Sequence, residues 1–393
     1  MAEYKFSDVS ALMNEQAKQL LGVEDLVAED LSNLVDVNKS LTEDTRIKMW
    51  RGMCVTGVKI IIEDKMESLP FPELFKTNDE WKAFMEKINV CVPECVEATN
   101  LNKTSGTDFS AEEHTFYAPE IEVQFWDMPE ASFKVRYSID NTKVDLEKVF
   151  NSPEELTAYY SAQQHAAEKC INRRLSAISR DAIADLALKS LAAGKYIKLL
   201  NKYNTEELDP TADDYTPLYR HNCWKDMNFV GFALYELGLI PEKFKTVSTN
   251  NNIAGMEQLT LDGDFRLILL TDFEQKIKAF YNPMVKNDGR DIATLPEHKT
   301  TYFWQAQGDG SMKDRAEMAM IDNGDTVSAD YVLGLAFDKR AVAIHNENRK
   351  STSSYTASGD FTNFFTTVIC KGVLDLTENS TVILLGDDPE VGD

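Results

Sequence analysis

The apolar positions change period several times along the chain, and each change marks an element. Over residues 1–40, Leu12, Leu20, Leu21, Leu26, Val27, Leu31 and Leu34 have a modest amphipathic spacing that Gly22 interrupts. That predicts two short helices or a partly ordered arm. From about Thr42, Ile47, Trp50, Cys54, Val58, Ile61 and Met66 step by three to five residues and predict a helix. Leu69-Pro70-Phe71-Pro72 must end it, because proline lacks the amide donor and disfavours helix in the residue before it. Behind Asn78, a natural cap, Trp81, Phe84, Met85 and Ile88 fall at i, i+3, i+4 and i+7 and predict a second, shorter helix. Residues 95–113 are polar and read as loop.

The period then drops to two. Ile121-Glu122-Val123-Gln124-Phe125-Trp126 and Ser132-Phe133-Lys134-Val135-Arg136-Tyr137-Ser138-Ile139 alternate apolar with polar, and Asp127-Met128-Pro129-Glu130 lies between them as a turn. The two runs predict a β-hairpin with one exposed face. At Ser152 the helical period returns. Ser152-Pro153-Glu154-Glu155 places a serine at the N-cap, proline at the first helical position and Glu155 at the third, the signature of a capping box. Neither proline nor glycine intervenes before Gly194, and Leu156, Tyr160, Ala167, Ile171, Leu175, Ile178, Ala182 and Leu186 keep a helical step, interrupted once at Gln163 and Gln164. An unbroken helix of that span runs on the order of 60 Å, several times the average length.

Beyond Asn201 the pattern is mixed. A helical stretch within 213–239 ends at Gly238-Leu239-Ile240-Pro241, Phe265–Leu270 reads as a buried strand, and Thr271 or Asp272 caps a helix through Phe280. Residues 281–330 look loop-rich, and Tyr331–Phe337, Val342–His345, Val368–Val373 and Thr381–Leu385 look like strands. No repeat shows at solenoid or propeller periods. The fold class is α+β, with helices early and strands late.

Composition narrows what such a chain does. Its 393 residues carry 41 Lys+Arg against 65 Asp+Glu, a formal charge of −24, which argues against a dedicated nucleic-acid binder. No apolar run nears the roughly 18 residues of a membrane span, and the first residues lack the order of a signal peptide, so a soluble protein that stays where it is made is expected. Six scattered cysteines (Cys54, Cys91, Cys95, Cys170, Cys223 and Cys370) suit reduced thiols better than a disulfide framework.

Catalytic constellations are hard to find. Gly308-Asp309-Gly310-Ser311 is a fragment of a glycine-rich loop without Walker spacing and reads as a surface turn. Cys91, Cys95, His221 and Cys223 could be drawn as a zinc site but lack the usual ligand spacing. Asp322-Asn323-Gly324-Asp325 has no bidentate glutamate behind it and reads as a turn rather than a calcium loop. The histidines His114, His165, His221, His298 and His345 sit on separate elements, none beside a motif-placed serine or cysteine. No catalytic residue, cofactor or metal is expected. Trp50, Trp81, Tyr159 and Tyr160 lie at helical spacing and read as packing residues.

The order of elements resembles the Hong Kong 97 fold of tailed-phage major capsid proteins. Stretches along the chain carry the likeness: Trp50-Arg51-Gly52, then Ile60-Ile61-Ile62-Glu63-Asp64-Lys65 and Leu69-Pro70-Phe71; Phe116-Tyr117-Ala118-Pro119-Glu120-Ile121; Val149-Phe150-Asn151-Ser152-Pro153-Glu154-Glu155-Leu156; Phe337-Asp338-Lys339-Arg340-Ala341-Val342-Ala343-Ile344; and Phe361-Thr362-Asn363-Phe364-Phe365. They are most similar to capsid proteins of small short-tailed phages (podoviruses) of Gram-positive hosts. The resemblance implies an N-terminal arm and helices over 1–114, an E-loop hairpin over 115–149, a P-domain spine helix over 150–200, an A domain over 201–330, and P-domain closing strands with a tail over 331–393.

It also implies a major head protein of the virion, assembled in the host cytoplasm into pentameric and hexameric capsomers with a scaffolding protein and a portal. The icosahedral shell encloses double-stranded DNA without sequence-specific binding, and no membrane is involved. Ile121, Val123 and Phe125, with Phe133, Val135 and Tyr137, are the expected inter-subunit contacts, and Ser152 with Glu155 the cap of the spine helix. Two alternatives stay open: an encapsulin-type nanocompartment shell, and a cytosolic enzyme of unrecognised α+β fold with its site in 201–330.

Overall fold

The computed structural model describes residues 5–42, 44–50, 52–53, 56, 74–76, 86–90, 121–125, 130–140, 152–208, 215–288, 295–305, 311–322, 325–356 and 361–389. The chain divides into two compact units, one of residues 1–78, 129–182 and 343–372, the other of 79–128, 183–342 and 373–393.

The first unit begins with α1 (Phe6–Leu21) and α2 (Leu34–Ser40). The break predicted at Gly22 is real: Gly22 ends α1 with φ 69°, a left-handed conformation that suits glycine, and its amide donates to the Lys18 carbonyl. The linker between the helices is tied down by Asn14, whose side chain both accepts from the Val27 amide (2.7 Å) and donates to its carbonyl (2.8 Å). Residues 44–50 are helical, and Arg46 donates to Asn38 at 2.9 Å. Gly52 lets α1 come close, since a Cβ there would collide with the Gln16 side chain. The rest of that predicted helix, to Met66, lies outside the described residues.

The long helix is confirmed as α3 (Pro153–Ala192, 40 residues), the division between the units falling within it. In the first unit Leu156, Tyr160, Ile171 and Leu175 are buried as predicted. Trp50 packs on Tyr159 (5.2 Å between centroids) and edge-on to Tyr160 (6.0 Å), whose hydroxyl donates to the Met53 carbonyl at 3.2 Å.

The sheet of this unit has the order β1-β11-β12-β4, from β1 (Phe75–Lys76), β4 (Glu130–Asp140), β11 (Val342–Thr356) and β12 (Phe361–Leu374). β11 and β12 run well past the predicted ends of their strands.

The second unit holds β2 (Glu86–Val90) paired antiparallel with β3 (Ile121–Phe125). This corrects the helix expected behind Asn78: residues 81–85 lie outside the described residues, but Ile88 is on a strand. Lys87-Ile88-Asn89-Val90 alternates polar with β-branched residues, which favours a strand once a partner is available.

The main sheet has the order β5-β13-β10-β6-β7, from β5 (Tyr196–Lys198), β6 (Phe265–Leu270), β7 (Lys299–Thr301), β10 (Val332–Asp338) and β13 (Ser380–Leu384). The outer pairs β5·β13 and β6·β7 are parallel and the inner two antiparallel. All seven residues of β10 are buried, as befits the central strand. This sheet takes β5 from the segment 150–200, β6 and β7 from 201–330, and β10 and β13 from 331–393.

Around it lie α4 (Leu199–Glu206), α5 (Met227–Lys245), α6 (Thr271–Asp288) and α7 (Met312–Arg315). Tyr203, Phe229, Trp224 and Phe273 form a chain of edge-on ring contacts at 5.4–5.6 Å. α5 does not stop before Pro241 as expected but runs through it to Lys245. Ile240 and Phe244, both buried, hold the turn around the proline in place. The loop-rich reading of 281–330 misses a hairpin of β8 (Met318–Asp322) and β9 (Asp325–Ala329). Asp322 and Asp325 close its ladder; Asn323 and Gly324, where a turn is expected, lie outside the described residues.

Candidate assembly surfaces and the groups that hold them

The two predicted contact sets each occupy alternate positions of one strand, so each shares a face of that strand. Ile121, Val123 and Phe125 stand opposite Val90, Ile88 and Glu86 in the β2·β3 ladder. Phe133, Val135 and Tyr137 stand opposite Val368, Thr366 and Phe364 in the β4·β12 ladder. The structure therefore does not bring the sets together: the expected hairpin between 121–126 and 132–139 is replaced by pairings in two separate sheets. The reason is ladder length. β4 finds eleven paired positions along β12, whereas the five residues of β3 could satisfy fewer than half of its backbone groups. Among the described residues β4 pairs on one side only, leaving the other edge of an 11-residue strand without a ladder.

At the start of α3, Ser152 caps as predicted, its hydroxyl accepting from the Glu155 amide at 3.3 Å. The same hydroxyl donates to the Glu154 carboxylate at 2.9 Å. Hydrogen bonds from its own backbone and from Ser152 hold the Glu154 carboxyl below the usual carboxylate range.

Sequence reasoning missed the polar groups that organise the second unit. At the turn from β10 to β11, Arg340 grips Asp338 with two bonds of 3.0 Å, and its own amide donates to Asp338 at 2.9 Å. The same guanidinium lies 3.2 Å from Glu378, while Lys339 bonds Asp264 at 2.5 Å. Asp338 and Glu378 are fully buried. The bond to Asp338, partly offset by burial, pushes the Arg340 pKa further above its ordinary range, and the Lys339 bond lowers that of Asp264. Between α4 and α5, Lys202 reaches the buried Glu236 at 2.8 Å.

On α6, burial would raise the Glu274 carboxyl, but bonds from Lys278 and His298 outweigh it and the pKa falls. Lys276 has its ammonium over the Trp224 ring (4.7 Å) and beside Met312 Sδ (3.0 Å), and burial lowers its pKa.

Of the groups that could be drawn as zinc ligands, two are described, and neither is shown beside another candidate ligand. Cys223 is buried with its thiol donating to the Arg220 carbonyl at 3.5 Å, His221 is exposed, and Cys91 and Cys95 lie outside the described residues. Among the described residues no group of three or more His, Cys, Asp or Glu could hold a metal, and no helix is long and apolar enough to cross a membrane.

No family model matches the chain, and no curated protein matches it. Solved structures do. The chain is similar to a structure described as the capsid of Staphylococcus phage Andhra, at 12% identity over 80% of this chain and 83% of that one, TM-score 0.44. It is similar to the capsid of the cyanophage P-SCSP1u at 12% identity over 80% and 86%, TM-score 0.42. A third, the mature capsid of bacteriophage PhiM1, gives 8% identity over 80% and 86%, TM-score 0.43. The likeness is a loose one of chain course.

Proposed function

We propose that this chain is the major capsid protein of a tailed phage and assembles into the shell that encloses double-stranded DNA. One observation carries the proposal: a 40-residue helix, preceded by a helical arm and strands, leads into a five-stranded sheet that the C-terminal strand β13 completes between β5 and β10. That order is the one the sequence stretches quoted above resemble. In this reading 1–114 is the N-arm, 115–149 the E-loop, 150–200 the spine, 201–330 the A domain and 331–393 the return to the P domain. β3 and β4 then offer their apolar faces to neighbouring subunits, in pentamers and hexamers formed with a scaffolding protein and a portal. The acid excess fits a container, which has no need to bind its contents tightly.

The experiment is expression of the full chain with its scaffold, followed by size-exclusion and negative-stain microscopy. Icosahedral shells loaded with DNA in the presence of packaging machinery are expected. Shells that take up a protein cargo instead would favour the encapsulin-type alternative, and a stable small oligomer under all assembly conditions would favour an enzyme.

A further inference from the structure

We propose that the exposed face of α3 between Lys169 and Arg180 is a contact surface for the phosphate backbone of a nucleic acid, an inference that rests on the shell reading. The segment Lys169-Cys170-Ile171-Asn172-Arg173-Arg174-Leu175-Ser176-Ala177-Ile178-Ser179-Arg180 holds four cations and no acid, in a chain with 65 acids against 41 bases. All of it is helical and belongs to the first unit. At about 100° per residue, Lys169, Arg173 and Arg180 fall within about 40° of one another. The buried Ile171, Leu175 and Ser179 lie on the other side of the helix. Lys169, Arg173 and Arg174 are exposed; Arg180 is half-buried, with its Nε donating to the Ser176 hydroxyl at 3.4 Å.

The subunit itself gains nothing from this arrangement. Lys169 and Arg173 stand four residues apart, a like-charge pair that weakens a helix. The run sits in mid-helix, away from the last turn where the dipole favours cations. Ion pairs relieve such repulsion elsewhere: further along the same helix, Lys189 meets Asp185 at 3.3 Å. Glu168, just before the run, is bonded to His165 at 3.2 Å. None of the ion pairs among the described residues involves Lys169, Arg173 or Arg174.

Charge and spacing select the partner. The run from Lys169 to Arg180 spans about 16 Å, a length over which a DNA duplex carries on the order of ten phosphates. Arg173 and Arg174 diverge by about 100°, so the cations reach to both sides of the ridge, and a guanidinium fork suits phosphate oxygens. Exposed Ala166 and Ala177 keep the ridge low enough for a backbone to approach. The overall charge of −24 does not prevent the contact. Screening acts over about 10 Å in 0.1 M salt, so a phosphate on this face senses the nearby cations before the total. Such a contact is weak on one subunit and multiplied where many copies line a shell. It touches no base edge, so it is indifferent to sequence.

The test measures binding of two short DNA duplexes of unrelated sequence to the unassembled full chain, by fluorescence anisotropy across a salt series. The parent is compared with Lys169→Gln/Arg173→Gln/Arg174→Gln and with Lys189→Gln, a cation outside the run. Thermal unfolding and microscopy of assembly accompany each. The parent should bind both duplexes alike. The triple variant should unfold at or above the parent's temperature and form shells, yet bind DNA at least about tenfold more weakly, with a salt slope lower by about three. Lys189→Gln should bind as the parent does. A triple variant that binds DNA like the parent, or a parent that binds none, overturns the contact, while shells formed by the same protein keep the shell reading. A folded triple variant that no longer assembles also overturns it, because the stripe then meets an acidic surface of a second copy. A parent that forms no shells but binds DNA through these three residues overturns the shell reading and supports the contact.

Discussion

Replacing Arg340 with methionine keeps most of the side-chain stem and removes the guanidinium at the centre of the β10–β11 turn. Asp338 then loses both side-chain bonds of 3.0 Å and keeps the backbone amide at 2.9 Å. Glu378 loses the cation 3.2 Å away. Both carboxylates are fully buried, and stripping one partner from a buried pair costs about 3–5 kcal/mol. Arg340 is itself 42% exposed, so water recovers part of that, and about 2–3 kcal/mol is the expected loss. For a unit of this size the Tm should fall by about 4–12 °C.

The wild-type contribution should be flat through neutral pH. A raised arginine pKa confers stability that is complete below the unfolded value and lost only in strong alkali. The assay is urea unfolding of the unassembled subunit for Arg340→Met, Asp338→Asn and the double variant. Removing the stranded charge should rescue the double variant, with a coupling energy of about 1–3 kcal/mol. A loss below about 0.5 kcal/mol, or strict additivity, refutes the reasoning.

The long helix makes its own prediction: Ala177→Pro should cost about 3 kcal/mol or more and Ser152→Ala about 1 kcal/mol in thermal unfolding. A proline variant of normal stability would mean the helix is not continuous there. Asp387, its pKa lowered by bonds first from Lys198 and then from Arg220, contributes stability that is present above the ordinary carboxylate pKa and lost as pH falls through the lower folded value. Because Asp387 is 60% exposed, Asp387→Asn should cost at most about 1 kcal/mol at pH 7, and the difference should shrink in unfolding curves taken in acid; an equal gap at both pH values would argue against the ion pair. Burial pushes the Cys223 thiol up to about 12, so alkylation of the native protein under mildly basic conditions should label exposed Cys170 and spare Cys223, and equal rates would contradict that burial.

Local pattern was enough where an element is specified by its own residues. The capping serine, the proline at the first helical position and forty residues without a breaker made α3 legible, because nothing distant has to be known for a helix to satisfy its own backbone. The same holds for the break at Gly22 and for β6, a run of apolar residues too short for a helix. Strand pairing was not legible. Alternation in 121–125 and 132–139 says which residues share a face and nothing about which strand lies alongside. The nearest partner in sequence was the natural expectation, and the longer ladder with β12 prevailed. Pro241 shows the opposite error: a strong local stop signal was overridden by the burial of Ile240 and Phe244 on either side.

The candidate surfaces divide along the same line. The apolar faces of β3 and β4 could be read from the sequence as faces, since period two is a local property. The Arg340 cluster could not, because its carboxylates come from Asp264, Asp338 and Glu378, on three segments that only the fold brings together. On a chain whose acids outnumber its bases by 24, like copies repel wherever charge is exposed. A face without charge is where two copies can meet at least electrostatic cost, and under the proposed shell reading the alternate apolar positions of β3 and β4 are the ones to which that argument applies.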